Sequence, residues 1–424
     1  QREDDVCKSV PVLAHLKRKH RIDFRVKSGG HHYNACSSVR DGIVLDLARL
    51  NSYKLLEKKK SSIIGTVGPA VTGGAIWKEL VRKRGAGCLM GGCPAVNQGG
   101  FILGGGFSYW SRRYGLACDM LRRARVVLAD GSVVTANSTN EHGDLFWALR
   151  GAGSAGVGGV VTEFELDMFE TQDRQVYGMG LVATVKECSE FMSKLNDESL
   201  PGNVGMSLFL FPEKYFGEDF VCLYNWYDTG VDNLKDGMKT LKSSFRNMLS
   251  KETATRFGLE MKSATEHSKS GIMDGRLWRV WNGFLMPEDC TQSKIARLLS
   301  LLKEMRDLGE GYVTIEILQW GGAISKIDPK DTAFYWRRGR FNVCVNLGVP
   351  TNVANAEGIF ERQQAMLDKA WRKVERRHHL KGCYYNYPER DATMGDYFGG
   401  NVSRLRRIKK KYDPEAIFSH PQSF

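Results

Sequence analysis

The sequence has no C-x-x-C pair, no phosphate-loop signature and no run of 18 apolar residues, and its 10 cysteines are thinly spread over 424 residues. Each absence removes a class. Sparse cysteine argues against a disulfide scaffold, and the missing C-x-x-C pair removes the common zinc and thioredoxin-type arrangements. Without G-x-x-x-x-G-K-[ST], phosphate-loop NTPases are out. The longest glycine-rich apolar stretch, Gly99 to Tyr109, is too short to span a bilayer, so a soluble protein without a transmembrane segment is expected. Acidic residues are also in deficit, 48 against 61 basic ones, giving a net charge of +13. The basic residues cluster at Lys17 to Lys27, Lys58-Lys59-Lys60, Arg372 to Arg377 and Arg404 to Lys411, and all four clusters read as helical. In the last, Leu405 and Ile408 recur at helical spacing, as on a solvated helix with an apolar underside. No nucleic-acid-binding signature accompanies this charge, so solvated faces are expected and no nucleic-acid partner. The chain begins at Gln1, as a processed or trimmed form does, and two N-x-S/T sites, Asn137-Ser-Thr and Asn401-Val-Ser, would permit glycosylation.

What is present divides the chain by pattern. In the first third, β-rich runs (Phe24 to Lys27, Ile43 to Leu47, Ile63-Ile64, Arg125 to Leu128) alternate with helix-like stretches, Asp5 to His20 and Gly74 to Lys83. Such alternation predicts an α/β unit. Asp130-Gly131 before Val133-Val134-Thr135 predicts a hairpin turn, so the sheet is not purely parallel. From about Phe169 the pattern shifts to longer apolar strands, Ser207 to Phe211 and Phe220 to Tyr224, and to long helices, Ile295 to Leu308 and Val353 to Arg377. That region predicts antiparallel strands covered by helices. The tail from Tyr384 returns to short motifs and ends its basic helix at Tyr412-Asp413-Pro414.

Glycine is in excess: 46 residues, about 11% against about 7% in ordinary proteins. Much of the excess sits in three places. Gly29-Gly30-His31-His32-Tyr33 follows a strand, residues 91–106 hold seven glycines in sixteen positions, and residues 151–159 hold five in nine. Each glycine costs about 0.5–1 kcal/mol in regular structure, so such density implies positive φ or close approach to another group. A cofactor with a pyrophosphate lying against backbone N–H groups is one beneficiary; tight turns in a crowded fold are the other. Gly151-Ala152-Gly153-Ser154-Ala155-Gly156 satisfies G-x-G-x-x-G but leads into strand-like Val160-Val161-Thr162, so a Rossmann site is excluded by context.

Taken in order, these segments resemble the FAD-binding (PCMH-type) domain of vanillyl-alcohol-oxidase relatives, and within them the berberine-bridge-enzyme-like oxidoreductases. The resemblance rests on Arg25-Val26-Lys27-Ser28-Gly29-Gly30-His31, Cys93-Pro94-Ala95-Val96, Leu103-Gly104-Gly105-Gly106, Asp144-Leu145-Phe146-Trp147 and Gly159-Val160-Val161-Thr162. Downstream it continues with Gly321-Gly322, Tyr384-Tyr385-Asn386-Tyr387 and Tyr397 to Asn401. It implies an α+β protein: an FAD domain of two subdomains, built from residues 1–168 and 383–424, around an inserted substrate domain of antiparallel sheet and helices, residues 169–382. Family members carry a further strand-and-loop segment upstream, so a first subdomain trimmed at its N-terminus is expected.

The resemblance also implies roles. His31 matches the histidine bonded to the flavin 8-methyl group, and Cys93 the cysteine joined to the ring in doubly linked members. Ser28, Gly29, Gly30, Val96, Gly99, Gly100, Gly104, Gly105, Gly159, Val160, Val161, Tyr384, Asn386 and Asn401 match positions lining FAD. Val96 stands where valine accompanies oxidases and leucine dehydrogenases. The chain departs from the family at Asn97 and Phe101, where glycine and histidine are usual, and at Trp336, where histidine is common. Glu316 matches the carboxylate or glutamine that family members place on a strand facing the flavin, and Tyr387 the tyrosine that acts as base or oxyanion partner in carbohydrate-oxidising members. Read from the residues alone, Glu316 fits a desolvated base or an edge-strand glutamate facing solvent equally well, since Ile315 and Ile317 alternate with it. Arg337 or Lys326 would lower the Tyr387 pKa. The resemblance thus implies an FAD-dependent oxidase of a sugar, oligosaccharide or aromatic alcohol, reducing dioxygen to hydrogen peroxide. A secreted monomer without a metal is expected. The alternative is a flavin-poor, non-catalytic relative binding carbohydrate or polyanions.

Overall fold

The amphipathic start of the chain forms the helix Glu3–His20, with three acidic residues in its first turn and four basic residues in its last, matching the helix dipole. In this computed structural model the described residues are 2–59, 62–153, 158–171, 175–195, 202, 204–210, 221–229, 256–257, 276–420 and 422–423. The helix stops because Arg21 turns left-handed, with φ of 54°. Val6, Val10 and Leu13 then pack with Phe24, Leu45, Val127, Val160, Ile417 and Phe418, so both ends of the chain share one core. The Lys17 to Lys27 cluster is therefore not one helix; its second part is strand β1 (Phe24–Lys27). Lys58 and Lys59 likewise lie on strand β3 (Tyr53–Lys59), not on a helix. Both lysines are exposed at the end of that strand. The other two clusters are helical as expected, within Ala356–His378 and Val402–Tyr412. In the latter Leu405 and Ile408 are buried, and so is Lys409, which pairs with Asp413 at 2.8 Å.

Strand β1 pairs with β2 (Ile43–Asp46) in parallel. Every other pairing among the described residues of the first third is antiparallel, which corrects the α/β expectation drawn from alternation alone. Strands β3, β4 (Ser62–Val67), β6 (Leu121–Val127), β7 (Val133–Asn137) and β8 (Val160–Glu170) form a sheet in the order β3-β4-β8-β6-β7. β5 (Ala86–Gly87) also pairs with β8. The β6–β7 connection is the predicted Asp130-Gly131 turn, with Gly131 at φ of 85°.

A second sheet is wholly antiparallel, in the order β12-β9-β11-β10-β14-β15-β13. Its strands are β9 (Gln175–Ala183), β10 (Val204–Leu210), β11 (Val221–Thr229), β12 (Arg256–Phe257), β13 (Arg276–Leu285), β14 (Val313–Gln319) and β15 (Phe341–Pro350). Helices Val185–Lys194, Gln292–Leu308 and Ala356–His378 cover one face, burying Ile295, Leu298, Leu302, Leu367 and Trp371 against Ile315, Ile317, Val343 and Val345. From the other face Phe284 and Leu318 enter a different core, shared with Phe101, Trp147, Tyr384 and Tyr385. That second face meets the glycine-rich loops. Among the described residues no helix is long and apolar enough to cross a membrane.

Candidate active site

Glu316 is not on an edge. β14 lies between β10 and β15, and the register pairs Glu316 with Phe209 and with Cys344, which itself pairs with Asn282 on β13. Directly paired residues share a face. Phe209, Glu316, Cys344 and Asn282 therefore form one row, while Ile315 and Ile317, both 0% exposed, point into the helix-covered core. Alternation separates the two faces correctly, but the outer face looks onto the C-terminal segment and not into solvent.

On that face the Tyr387 hydroxyl donates to Glu316 Oε2 at 3.2 Å. Burial pushes the Glu316 carboxyl up to about 7, against the smaller downward pull of the Tyr387 hydrogen bond. Burial and then the neighbouring Glu316 push the Tyr387 phenol well above its ordinary value. The pair is a neutral phenol held on a carboxylate able to accept a proton near neutrality. Tyr33 packs edge-on against Tyr387 and Trp278, with ring centroids 6.2 and 5.8 Å away. Its phenol is raised by burial first, then by Cys344, Glu316 and Cys93, so these groups surround one ring. Motif reading singled out neither Tyr33 nor Asn282. Tyr33 has a signal, its place two residues after His31; Asn282 has none.

Neither cation expected near Tyr387 acts on it. Arg337 is 0% exposed and bonds Asp119 at 2.6 and 3.0 Å and Thr332 at 2.7 and 3.2 Å, while Lys326 is exposed. Arg337 is a buried structural ion-pair partner.

The glycine loops converge. A Cβ on Gly29 would stand 2.7 Å from the Asn97 side chain, and one on Gly99 2.8 Å from Ser28 Oγ, so the first two clusters touch. Gly30 takes φ of 73°. A Cβ on Gly100 would meet nothing within 4 Å, so that glycine faces open space. Next to it Gln98, 1% exposed, leaves both amide atoms unpartnered, and His32, beside His31, leaves both ring nitrogens unpartnered. Burial holds His32 down at about 4, so it is a neutral donor and acceptor. Orphaned polar atoms beside small residues with open space fit a polar, planar cofactor such as FAD. His31 is half-buried in the β1–β2 loop. Cys93 is a free, partly exposed thiol in a turn closed by Val96 N–H onto its carbonyl at 3.2 Å.

Other positions matched to FAD make contacts within the protein. The Tyr384 hydroxyl accepts from Phe107 N–H at 2.7 Å, and Asn386 Nδ2 donates to the Phe101 carbonyl at 3.0 Å. Asn401 Nδ2 donates to the carbonyls of Pro329 and Thr332 at 2.8 and 3.1 Å; its side chain is buried, which also removes it as a glycan acceptor. Cβ atoms on Gly104 and Gly105 would run into Asn386 and Phe334, and one on Gly159 into the Val127 carbonyl, so these glycines serve close packing. Val160 and Val161 fill two separate cores. The family departures have local partners. Phe101 is core, Asn97 donates to the Ala70 carbonyl at 3.2 Å, and Trp336 donates to the Asp396 carbonyl at 2.6 Å over Gly382, where a Cβ would strike the indole.

Two large antiparallel sheets and a parallel strand pair, with converging glycine loops and a buried Glu–Tyr pair, fit a flavin-dependent oxidoreductase. Residues 8–137 match the model of the FAD binding domain and residues 383–424 that described as berberine and berberine like. The chain is 26% identical to the chitooligosaccharide oxidase of Gibberella zeae over 96% of this chain and 82% of that protein. It is 26% identical to the glucooligosaccharide oxidase of Sarocladium strictum, covering 94% and 81%. Berberine bridge enzyme from Eschscholzia californica superposes with a TM-score of 0.79 at 22% identity, over 100% of this chain and 88% of that one. The chain thus carries an FAD binding domain and a berberine-like C-terminal segment, and its relatives over nearly its whole length include FAD-linked oligosaccharide oxidases, which makes it an FAD-dependent oxidoreductase.

Proposed function

We propose that the enzyme oxidises an alcohol carbon of a sugar or oligosaccharide and passes the electrons to dioxygen, releasing hydrogen peroxide. The observation that carries this reading is the 3.2 Å contact between Tyr387 and Glu316 on the face of β14 turned away from its core. When bound, FAD supplies the hydride acceptor. His31 would tether it covalently, Cys93 would form a second link, and the Gly29, Gly30 and Gly100 backbone would lie against it. The residues of the chain manage the proton. The Tyr387 oxygen takes the proton of the substrate hydroxyl as its own passes to Glu316, whose raised pKa makes it a competent acceptor near neutral pH. Tyr33 and Trp278 wall the space beside Tyr387. A sugar is favoured over an aromatic alcohol by the relatives named as oligosaccharide oxidases. Val96 supports dioxygen as acceptor, and the Asn137 site, whose side chain is only partly buried, supports an extracellular protein.

The pH dependence tests the proton path. A base works when deprotonated, so the rate of flavin reduction is expected to rise with pH through about 7 and level off above it. Glu316→Gln is expected to abolish that limb and slow reduction by about 10²-fold or more. An unchanged limb in Glu316→Gln rules Glu316 out as the base. Acid precipitation tests the tether: the native pellet is expected to be yellow and the His31→Ala/Cys93→Ala double variant colourless, with Cys93→Ala alone remaining yellow. A colourless native pellet contradicts covalent attachment.

A further inference from the structure

We infer that Asn282 is the positioning residue that sets Tyr387 on Glu316, by clamping both ends of the Tyr384–Tyr387 turn with one carboxamide. The inference rests on the Tyr387–Glu316 proton path proposed above.

The turn is closed internally by Tyr387 N–H donating to the Tyr384 carbonyl at 2.9 Å. That leaves two backbone groups at its mouth, the Tyr384 N–H and the Tyr387 carbonyl. Asn282 satisfies both: its Oδ1 accepts from Tyr384 N–H at 2.7 Å and its Nδ2 donates to the Tyr387 carbonyl at 2.5 Å. A donor on one side and an acceptor on the other allow only one orientation of the amide. Asn282 is itself fixed. It is 1% exposed, its N–H donates to Glu389 Oε2 at 3.3 Å, and Asn342 Nδ2 donates to its Oδ1 at 3.3 Å. Two reciprocal 2.9 Å bonds between Phe284 and Lys381 dock the approach to the turn on the same strand.

The register gives this clamp its meaning. Asn282 and Glu316 lie in one row with Cys344 between them, two strand spacings apart, about 10 Å. The Tyr387 side chain bridges that interval, its backbone carbonyl on Asn282 and its hydroxyl on Glu316. One sheet thus holds both partners of the proton path, Glu316 directly and Tyr387 through Asn282. An alanine at 282 leaves the buried Tyr384 N–H and the partly buried Tyr387 carbonyl without these partners, and the turn relaxes to find others. A shift of about 1 Å at a reacting group costs up to about 10²-fold in rate.

The test is a double-mutant cycle on the FAD-loaded enzyme. With a chitooligosaccharide as reductant, Asn282→Ala is expected to slow flavin reduction at saturation by about 10- to 100-fold with little change in KM, and by less than about 3-fold in the Tyr387→Phe background. Equal losses in both backgrounds overturn the inference, because Asn282 would then act other than through Tyr387. The second readout needs no substrate. Titrate Glu316 by pH-difference infrared, assigning its band by its loss in Glu316→Gln. Loss of the Tyr387 hydrogen bond is expected to move the titration upward by about one unit in Tyr387→Phe and equally in Asn282→Ala. A shift in Tyr387→Phe but none in Asn282→Ala overturns the clamp. Shifts in both with no effect of either substitution on reduction would instead sink the proton path and leave the clamp standing. Should Asn282→Ala not fold, Asn282→Asp keeps the acceptor for Tyr384 N–H, loses the donor to Tyr387 and is expected to shift the titration in the same direction.

Discussion

Tyr387→Phe is expected to slow flavin reduction by about 10²–10⁴-fold while fold and flavin content stay as they are. The substitution removes one oxygen. The ring keeps its packing against Tyr384 and Tyr33, with centroids 5.2 and 6.2 Å away, and the backbone keeps its bonds to Asn282. What goes is the phenol proposed to hand the substrate proton to Glu316, together with the hydrogen bond that pulls the Glu316 pKa down. Rapid-mixing measurement of flavin bleaching checks this. A loss below about 10-fold means that Tyr387 is a wall of the site and not its proton carrier.

Arg337→Met is expected to cost about 3–5 kcal/mol of stability, measured by denaturant unfolding of the FAD-loaded protein. Arg337 and Asp119 are 0% and 5% exposed, and two bonds join them. The methionine fills the space but leaves Asp119 as a buried charge with a single backbone donor, Leu116 N–H at 2.8 Å. Asp119→Asn with Arg337 intact strands the opposite charge and is expected to cost a comparable amount. The loss should spread to the C-terminal segment, because the loop Arg337 holds through Thr332 is the one Asn401 braces. A cost below about 1 kcal/mol would mean that water reaches the pair.

Local pattern carried much of the fold. The helix Glu3–His20, the Asp130-Gly131 hairpin and the helix Gln292–Leu308 lie where periodicity and turn chemistry put them, because neighbouring residues determine those features. Pairing is another matter. Alternation of helix-like and strand-like runs predicted an α/β unit with a sheet not purely parallel, yet among the described strands only β1 and β2 pair in parallel, since strand direction depends on partners far along the chain. Glu316 shows the same limit inside the site. Its strand pattern distinguishes two faces but cannot say which one meets solvent, and only the order β10-β14-β15 decides that. The glycine clusters were legible as a signal and mixed in meaning: Gly100 faces open space, whereas Gly29, Gly104, Gly105 and Gly159 admit a neighbouring atom of the protein. Asn282 was invisible, since a polar residue within an apolar strand declares nothing until the turn it holds is in place.

The most direct test of the proposed chemistry is anaerobic mixing of the purified protein with chito- and glucooligosaccharides, followed by admission of air. The flavin absorbance is expected to bleach without air and to return with it, releasing about one hydrogen peroxide for each sugar oxidised. Flavin that stays oxidised with every oligosaccharide, or that bleaches but is not restored by air, would contradict an oligosaccharide oxidase.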